Sequence, residues 1–427
     1  MKITFIGTGF VGLVSAAVYA SFGNQVTGLD IDEDKIKKLK KGKAPFYEPD
    51  LEEMLKNQQK KGNLNFTTDY ESCIPESELI VIAVGTPSKE NNEADLRYVY
   101  TATEALAPHL KQEAIVAIKS TVPPGTLDYV EKIIKKHTDV EFYTASLPEF
   151  LREGSAVADT LNPDRVLIGA NNQVAIDKLE QLSKSLKAPI VKMTAESAQM
   201  AKYSANAYLA TRITFINQIA NLCEQNGADI NEVIEGIGYD KRIGDHYWYP
   251  GFGYGGSCFP KDVKELAAYS LKVGQDSNLM VTINKLNKQR IPKLMSKYRY
   301  QVGCWKKKKV AVLGLAFKPG TDDTRQSPAT KVIPWLIDQG SEVTGYDPMA
   351  TWQPDEKAGQ YQQTDSIRSA VKNVDVIICL IEWPQIIKFD FAKTKLEKEQ
   401  YFIDARNQFE PDTIKQPGYK YIAIGRN

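Results

Sequence analysis

Through about Met193 short, almost wholly apolar runs recur between stretches whose hydrophobic residues return at helical spacing, an alternation that predicts a doubly wound parallel sheet. Residues 1–6 feed Gly7-Thr-Gly9-Phe-Val-Gly12, then a helical stretch, then the apolar run 26–29 that ends on Asp30. Residues 79–84 run into Gly85-Thr-Pro87, and residues 115–118 into Lys119-Ser-Thr-Val-Pro-Pro-Gly125. Such loops lie at the carboxyl ends of strands, where open α/β sheets bind ligands. Thr86, Ser120 and Thr121 are therefore candidate contacts, set against the plainer reading that they only form turns.

From Glu196 proline disappears for a long stretch, and Leu209, Ile213, Ile216, Ala220 and Cys223 recur at alternating steps of four and three. That predicts a long helix with a narrow, heptad-like seam, which could lie against its own domain or against the matching helix of a second subunit. Lys202 and Asn206, four apart, share one face of it. The central helices should give out between Arg290-Ile-Pro292 and Trp305, where a second α/β unit begins at Val310. Its first strand leads to Ala316-Phe-Lys-Pro-Gly-Thr-Asp-Asp-Thr-Arg325, and its second ends on Asp347. The layout repeats the first half without the glycine triplet, which suits a nucleotide-like ligand that does not need a pyrophosphate turn.

Length and charge narrow the function. A chain of 427 residues suits about three domains, and a net charge of +1 gives no sign of nucleic acid or of an acidic membrane as partner. The basic block Lys306 to Lys309 precedes an apolar strand without interleaved aromatics and reads as its solvated start. Five scattered cysteines imply neither a disulfide framework nor a zinc site, and His109, His137 and His246 lack partners at metal spacing, so no metal is expected. Residues 5–20 superficially resemble a secretory leader, but three glycines interrupt them, and no window reaches the roughly 18 apolar residues of a membrane span. A cytoplasmic protein is expected.

Two motifs carry chemistry. Gly7, Gly9 and Gly12 stand at G-x-G-x-x-G spacing between a strand and a helix, with an acid closing the next strand: the dinucleotide fingerprint of a Rossmann-like fold. Gly7 permits the turn, Gly9 lets the pyrophosphate approach backbone N–H groups, and Gly12 lets the helix pack against the strand. Asp30 suits the adenosine ribose hydroxyls and would repel a 2′-phosphate, which favours NAD over NADP. The second motif, Gly251-Phe-Gly-Tyr-Gly-Gly-Ser-Cys258-Phe-Pro-Lys-Asp262, sets one cysteine on a glycine-rich turn with a cation and a carboxylate close behind. Lys261 would bias the sulfur toward the reactive thiolate. The alternative, a small hydrophobe in a loop, explains none of these neighbours.

Over essentially its whole length the chain resembles the UDP-glucose/GDP-mannose 6-dehydrogenases. The resemblance rests on residues 7–12, Lys119-Ser-Thr-Val-Pro, Pro148-Glu-Phe-Leu-Arg-Glu-Gly154, Asn162-Pro-Asp-Arg165, Lys202-Tyr-x-x-Asn206-Ala, Asp240-x-Arg242-Ile-Gly244, the Cys258 loop, Gly314-Leu-Ala-Phe-Lys318, Asp323-x-Arg325 and Asp404-x-Arg406-Asn407. It implies three domains: a cofactor domain at 1–195, a central helical domain for dimerisation and catalysis at 196–300, and a UDP-sugar domain at 301–427. The fold class is then two Rossmann-like parallel-sheet domains joined by a helical domain with a long helix.

The implied reaction is four-electron oxidation of a sugar nucleotide, UDP-glucose in the best-matching branch, by two NAD molecules in turn. The resemblance makes Cys258 the nucleophile, Lys202 and Asn206 oxyanion donors, and Asp262 and Glu149 the proton-handling pair. Thr121 positions the water or the reacting hydroxyl. Cofactor contacts carried over are Gly7, Gly9, Phe10, Val11, Gly12, Asp30, Lys35, Thr86, Thr121, Glu153 and Arg325. Substrate contacts are Glu149, Phe150, Leu151, Arg152, Lys202, Asn206, Arg242, Phe252, Gly253, Tyr254, Gly255, Lys318 and Arg406. The arginine at position 242 would reach a neighbouring subunit's site, implying a homodimer.

Three positions depart from the family pattern. Leu147 stands for the usual asparagine, Asp50 for a glycine after Glu48-Pro49, and Gln218 for a glutamate after Asn217. They bear on loop geometry more than on reaction class. Competing readings are a UDP-N-acetylhexosamine or GDP-mannose 6-dehydrogenase, a two-electron hydroxyacid dehydrogenase, which would not need Cys258, and a non-catalytic nucleotide-binding protein.

Overall fold

The computed structural model describes residues 1–354, 360–394 and 398–426, so Asn427, the end of the expected third domain, lies outside the described residues. The chain packs as two compact units, residues 1–205 with 264–276 and residues 206–263 with 277 onward.

In the first unit the apolar runs become β1 (Lys2–Ile6), β2 (Gln25–Leu29), β3 (Leu64–Thr67), β4 (Leu79–Ile82), β5 (Ala114–Ile118), β6 (Phe142–Ser146), β7 (Val166–Gly169) and β8 (Ile190–Met193). Their order is β3-β2-β1-β4-β5-β6-β7-β8. Strands β4 and β5 are buried at every residue, which is why their sequences are continuous apolar runs. On β1, Ile3 and Phe5 enter one core and Ile6 the other, as a two-residue side-chain period requires. The parallel sheet has one break: β7 meets β6 antiparallel at Ser146 and Gly169. Residues 147–165 are spent on the Glu149 loop and a six-residue helix, Ala156–Leu161, rather than on a full crossover helix, so the chain returns in the opposite direction.

The second unit holds a parallel six-stranded sheet: β9 (Lys309–Leu313), β10 (Glu342–Tyr346), β11 (Tyr361–Gln363), β12 (Val376–Cys379), β13 (Tyr401–Asp404) and β14 (Lys420–Ala423), in the order β11-β10-β9-β12-β13-β14. Helix Asn278–Val302 continues through Pro292 and packs Met295 and Tyr298 into the same core as Val310 and Val312. The predicted long helix is Ala195–Asn226. Its seam residues Ile213, Ile216, Ala220 and Cys223 are buried by the chain itself. The apolar positions left open on that helix are instead Tyr208, Phe215 and Leu222, seven residues apart and 59, 51 and 60% exposed.

Beyond β14 the chain is stitched back to the last turn of the long helix and to the segment that follows it. Gly425 N–H donates to Glu224 at 2.9 Å, Ile230 N–H donates to the Gly425 carbonyl at 2.9 Å, and Arg426 Nε donates to Asp229 at 2.8 Å. Among the described residues no helix is long and apolar enough to cross a membrane.

Candidate active site

In the first unit β1 is followed by Gly7 at φ +96, and Gly9 caps helix Phe10–Ser21. A Cβ on Gly12 would collide with the Gly7 carbonyl, whereas one on Gly9 would meet nothing within 4 Å. The turn is thus tight on its inner side and open where a pyrophosphate would rest on the helix N-terminus. Asp30, at the end of β2, accepts Thr8 N–H at 2.8 Å, Thr8 Oγ1–H at 2.7 Å and Lys35 Nζ at 2.9 Å on one carboxylate oxygen. Among the described residues the other oxygen takes only Asp32 N–H at 3.1 Å and retains capacity for a ribose hydroxyl. Burial opposes ionisation of Asp30, but the bonds from Thr8 and Lys35 outweigh it and hold the carboxyl below its ordinary pKa. These residues fit a dinucleotide. Thr86 is buried and donates from Oγ1 to the Thr121 carbonyl at 2.9 Å, tying together two loops that follow strands.

The same unit pairs Glu149 with Lys202. Lys202 Nζ lies 2.9 Å from Glu149 Oε1, with both side chains under a tenth exposed, while Glu149 Oε2 accepts Leu151 N–H at 2.8 Å. Phe150 lies under the Arg165 guanidinium, 3.5 Å from its ring centre, with Lys202 Nζ at 5.2 Å. Burial lowers the Lys119 pKa to about 8, with Glu149 opposing and Lys202 reinforcing the shift.

In the second unit Cys258 is exposed and immediately precedes helix Phe259–Lys272. Asp262 follows one turn later, its N–H bonded to the Cys258 carbonyl at 2.8 Å. Its buried carboxylate accepts Asn206 Nδ2 at 2.5 Å and pairs with Lys261 Nζ at 2.7 Å. Lys202 and Asn206, one turn apart on the long helix, thus each address a carboxylate.

Family models match residues 1–187 as the NAD binding domain, 196–289 as the central domain and 311–411 as the UDP binding domain of the UDP-glucose/GDP-mannose dehydrogenase family. The chain belongs to that family.

Among its relatives, UDP-glucose 6-dehydrogenase TuaD of Bacillus subtilis is 41% identical over all of this chain and 93% of its own. A solved UDP-glucose dehydrogenase from Pyrobaculum islandicum matches with a TM-score of 0.91 at 33% identity, covering 100% of this chain and 98% of its own. A UDP-D-ManNAc dehydrogenase from Pyrococcus horikoshii matches at 0.87 and 29%, covering 100% and 99%. This member of the dehydrogenase family is therefore an NAD-dependent oxidoreductase with a UDP-binding domain.

The dehydrogenase holds several expected contacts in pairs of its own. Arg152 is bonded to Asp159, Arg242 to Asp240 and Arg325 to Asp323, with Arg242 the most exposed of the three. Lys318 lies 5.8 Å from the Phe317 ring centre. Within the cysteine loop Phe252 and Tyr254 are buried, and Gly253 and Gly255 half-buried. Glu153 is buried. Phe10 stacks on Phe46 with ring centres 3.7 Å apart. Val11 is half-buried on the first turn of the cofactor helix.

Arg406 lines a cleft of about 510 Å³ with Trp248, Tyr249, Pro250 and Glu382. Glu382 takes both ends of its guanidinium at 2.7 Å. Of these neighbours, Trp248 and Glu382 carry no signal in the sequence that marks them for a ligand site.

Glu48 is another residue whose role sequence reasoning missed. Its buried carboxylate accepts Gly154 N–H and Ala156 N–H, each at 2.7 Å, and so shapes the Glu149 loop from over a hundred residues away. Leu147, in place of an asparagine, packs into the core. Asp50 adopts φ +64, the left-handed conformation that explains why glycine suits this position. Lys119 and Arg165 stood in recognised motifs and could have been found there.

Proposed function

We propose that this dehydrogenase oxidises the C6 alcohol of UDP-glucose to the carboxylate of UDP-glucuronate in two hydride removals. The observation that carries the reading is an exposed Cys258 at a helix N-terminus, one turn before a buried Asp262 held by Asn206. Bound NAD supplies the hydride acceptor at each oxidation.

In the first step a base removes the hydroxyl proton as hydride leaves C6, giving the aldehyde. An aldehyde carbon gives up hydride usefully only once it is tetrahedral. The Cys258 sulfur adds to it, forming a C–S bond and a thiohemiacetal; loss of the second hydride makes a thioester, and water cleaves that to carboxylate and free thiol. Lys202 and Asn206 steady the oxyanions, Glu149 and Asp262 move the protons, and Thr121 orients the reacting hydroxyl or water. On the substrate side Phe150, Leu151, Arg152, Phe252, Gly253, Tyr254, Gly255, Lys318 and Arg406 would frame the UDP-sugar. Gly7, Gly9, Phe10, Val11, Gly12, Asp30, Lys35, Thr86, Glu153 and Arg325 would frame the cofactor.

The full-length likeness to UDP-glucose 6-dehydrogenases supports UDP-glucose over UDP-N-acetylhexosamine, whose named dehydrogenase is the more distant of the two structures. We also infer a homodimer, supported by the open stripe Tyr208, Phe215 and Leu222 and by the solvent-facing Arg242. A functional division into cofactor (1–195), helical (196–300) and UDP-sugar (301–427) segments and a cytoplasmic setting complete the reading. Five cysteines, odd in number and widely scattered along the sequence, support that setting.

Product analysis tests the function. Each UDP-glucose should yield two NADH and one acid, and Cys258→Ser should stall before free acid. One NADH per substrate with aldehyde as product would sink the mechanism, and faster turnover of UDP-N-acetylmannosamine would change the substrate.

A further inference from the structure

The loop at residues 251–258 has little intrinsic reason to hold one shape, since Gly251, Gly253, Gly255 and Gly256 all lie in it. Fixing a residue's backbone costs conformational entropy, and glycine has the most freedom to lose. The order comes from outside the loop. Asn287, on helix Asn278–Val302, bonds Tyr254 twice: its Oδ1 accepts Tyr254 N–H at 2.9 Å and its Nδ2 donates to the Tyr254 carbonyl at 3.0 Å. The amide pairs with this backbone as a neighbouring strand would.

One helical turn further on, Arg290 Nε donates to the Gly251 carbonyl at 2.8 Å, and Asn217 Oδ1 accepts Gly251 N–H at 2.9 Å. Gly256 N–H donates to the Arg325 carbonyl at 3.1 Å. Gly253 stands at φ +94, and a Cβ there would strike the Asn287 amide oxygen, so glycine and asparagine are matched.

We propose that Asn287 is a positioning residue for Cys258, acting through the backbone of Tyr254 to fix where the sulfur emerges at the start of helix Phe259–Lys272. Arg290 and Asn217 hold the other end of the loop. This rests on Cys258 as the nucleophile. Asn287 lies outside every motif that supports that assignment, and its role is geometric, because a displacement of about 1 Å at a reacting group costs on the order of a hundredfold in rate.

The test compares wild type, Asn287→Ala and Asn287→Asp as full-length chains. Iodoacetamide alkylation across pH is read at the Cys258 peptide, with Cys304, the other exposed cysteine, as internal control. The kcat and KM values for UDP-glucose and NAD are measured alongside. For Asn287→Ala the expected result is kcat lower by about 10- to 100-fold, with KM for NAD changed by less than about twofold. Its Cys258 alkylation profile should shift and its Cys304 profile stay still.

Asn287→Asp keeps an acceptor for Tyr254 N–H and should recover part of the loss. A wild-type Cys258 profile in Asn287→Ala overturns the proposal whatever happens to kcat. If that variant does not fold, the same profile in Asn287→Asp decides. Failure of the underlying reading shows separately, as Cys258→Ser retaining two NADH per substrate.

Discussion

The two nucleotide folds of this dehydrogenase begin alike and diverge at one carboxylate. Gly7 and Gly314 follow the first strand of their sheets at φ +96 and +94, and donate to the carbonyls of Leu29 and Tyr346 at 2.7 and 2.8 Å. An aspartate then closes the neighbouring strand in each, Asp30 in one and Asp347 in the other. Asp347 is consumed by its own chain. It accepts the N–H groups of Leu315, Ala316, Met349 and Ala350, and the Trp383 indole, at 2.7 to 3.1 Å. Asp30 keeps one oxygen nearly open.

The approach to each ligand differs as well. In the first fold the turn passes directly into helix Phe10–Ser21, so backbone N–H groups can face a pyrophosphate. In the second, residues 314–328 intervene before helix Ala329–Asp338 and carry Lys318 and Arg325, so charge must come from side chains. One architecture is thus tuned to two ligands by where its hydrogen-bonding capacity is spent.

Substitution can break this contrast. The largest effect should come from Asp347→Ala, which strands five donors, four of them in buried bonds, and should lower stability by about 3 kcal/mol or more, leaving NAD affinity of the remaining folded protein unchanged. Denaturant unfolding and NAD titration read the two terms. Next, Asp30→Ala should weaken NAD binding about 10- to 100-fold while UDP binding stays as it was. A large loss of stability there instead would erase the distinction.

Protonation gives the same residue a second test. The pKa of Asp30 is held below its ordinary value, so its charge is present above the usual carboxylate range and is lost only as pH falls through the lowered value. NAD affinity should therefore stay flat from about pH 5 to about pH 8 and decline only in acid. The smallest effect should be that of Lys318→Gln. Its half-buried ammonium is screened by solvent, so UDP should bind about 3- to 10-fold more weakly and NAD equally well, both read by calorimetry.

Features that repeat along the chain were readable before the fold was known. The two sheets, the long helix, the glycine turn and the Cys258 loop all announce themselves through periodicity or a local cluster of residue types. Features made by distant pieces were not. Nothing in the spacing of Lys202 or Asn206 names Glu149 or Asp262 as the carboxylate each one bonds, and nothing near Glu48 points to Gly154. The seam of the long helix was visible, yet hydrophobic period alone does not tell a face buried in its own chain from one left open, and Tyr208, Phe215 and Leu222 were overlooked for that reason. Asp50 was noticed as a departure from glycine, but its left-handed backbone became apparent only in three dimensions.

The stitch between Gly425 and Glu224 spans 201 residues of chain. On a ribosome adding about 5–20 residues per second, Glu224 emerges roughly 10–40 s before its partner exists. Throughout that interval Ile230, wholly covered in the finished protein, lacks the Gly425 cover and remains available to chaperones. Synthesis rate thereby sets how long the nascent enzyme carries an unfinished surface.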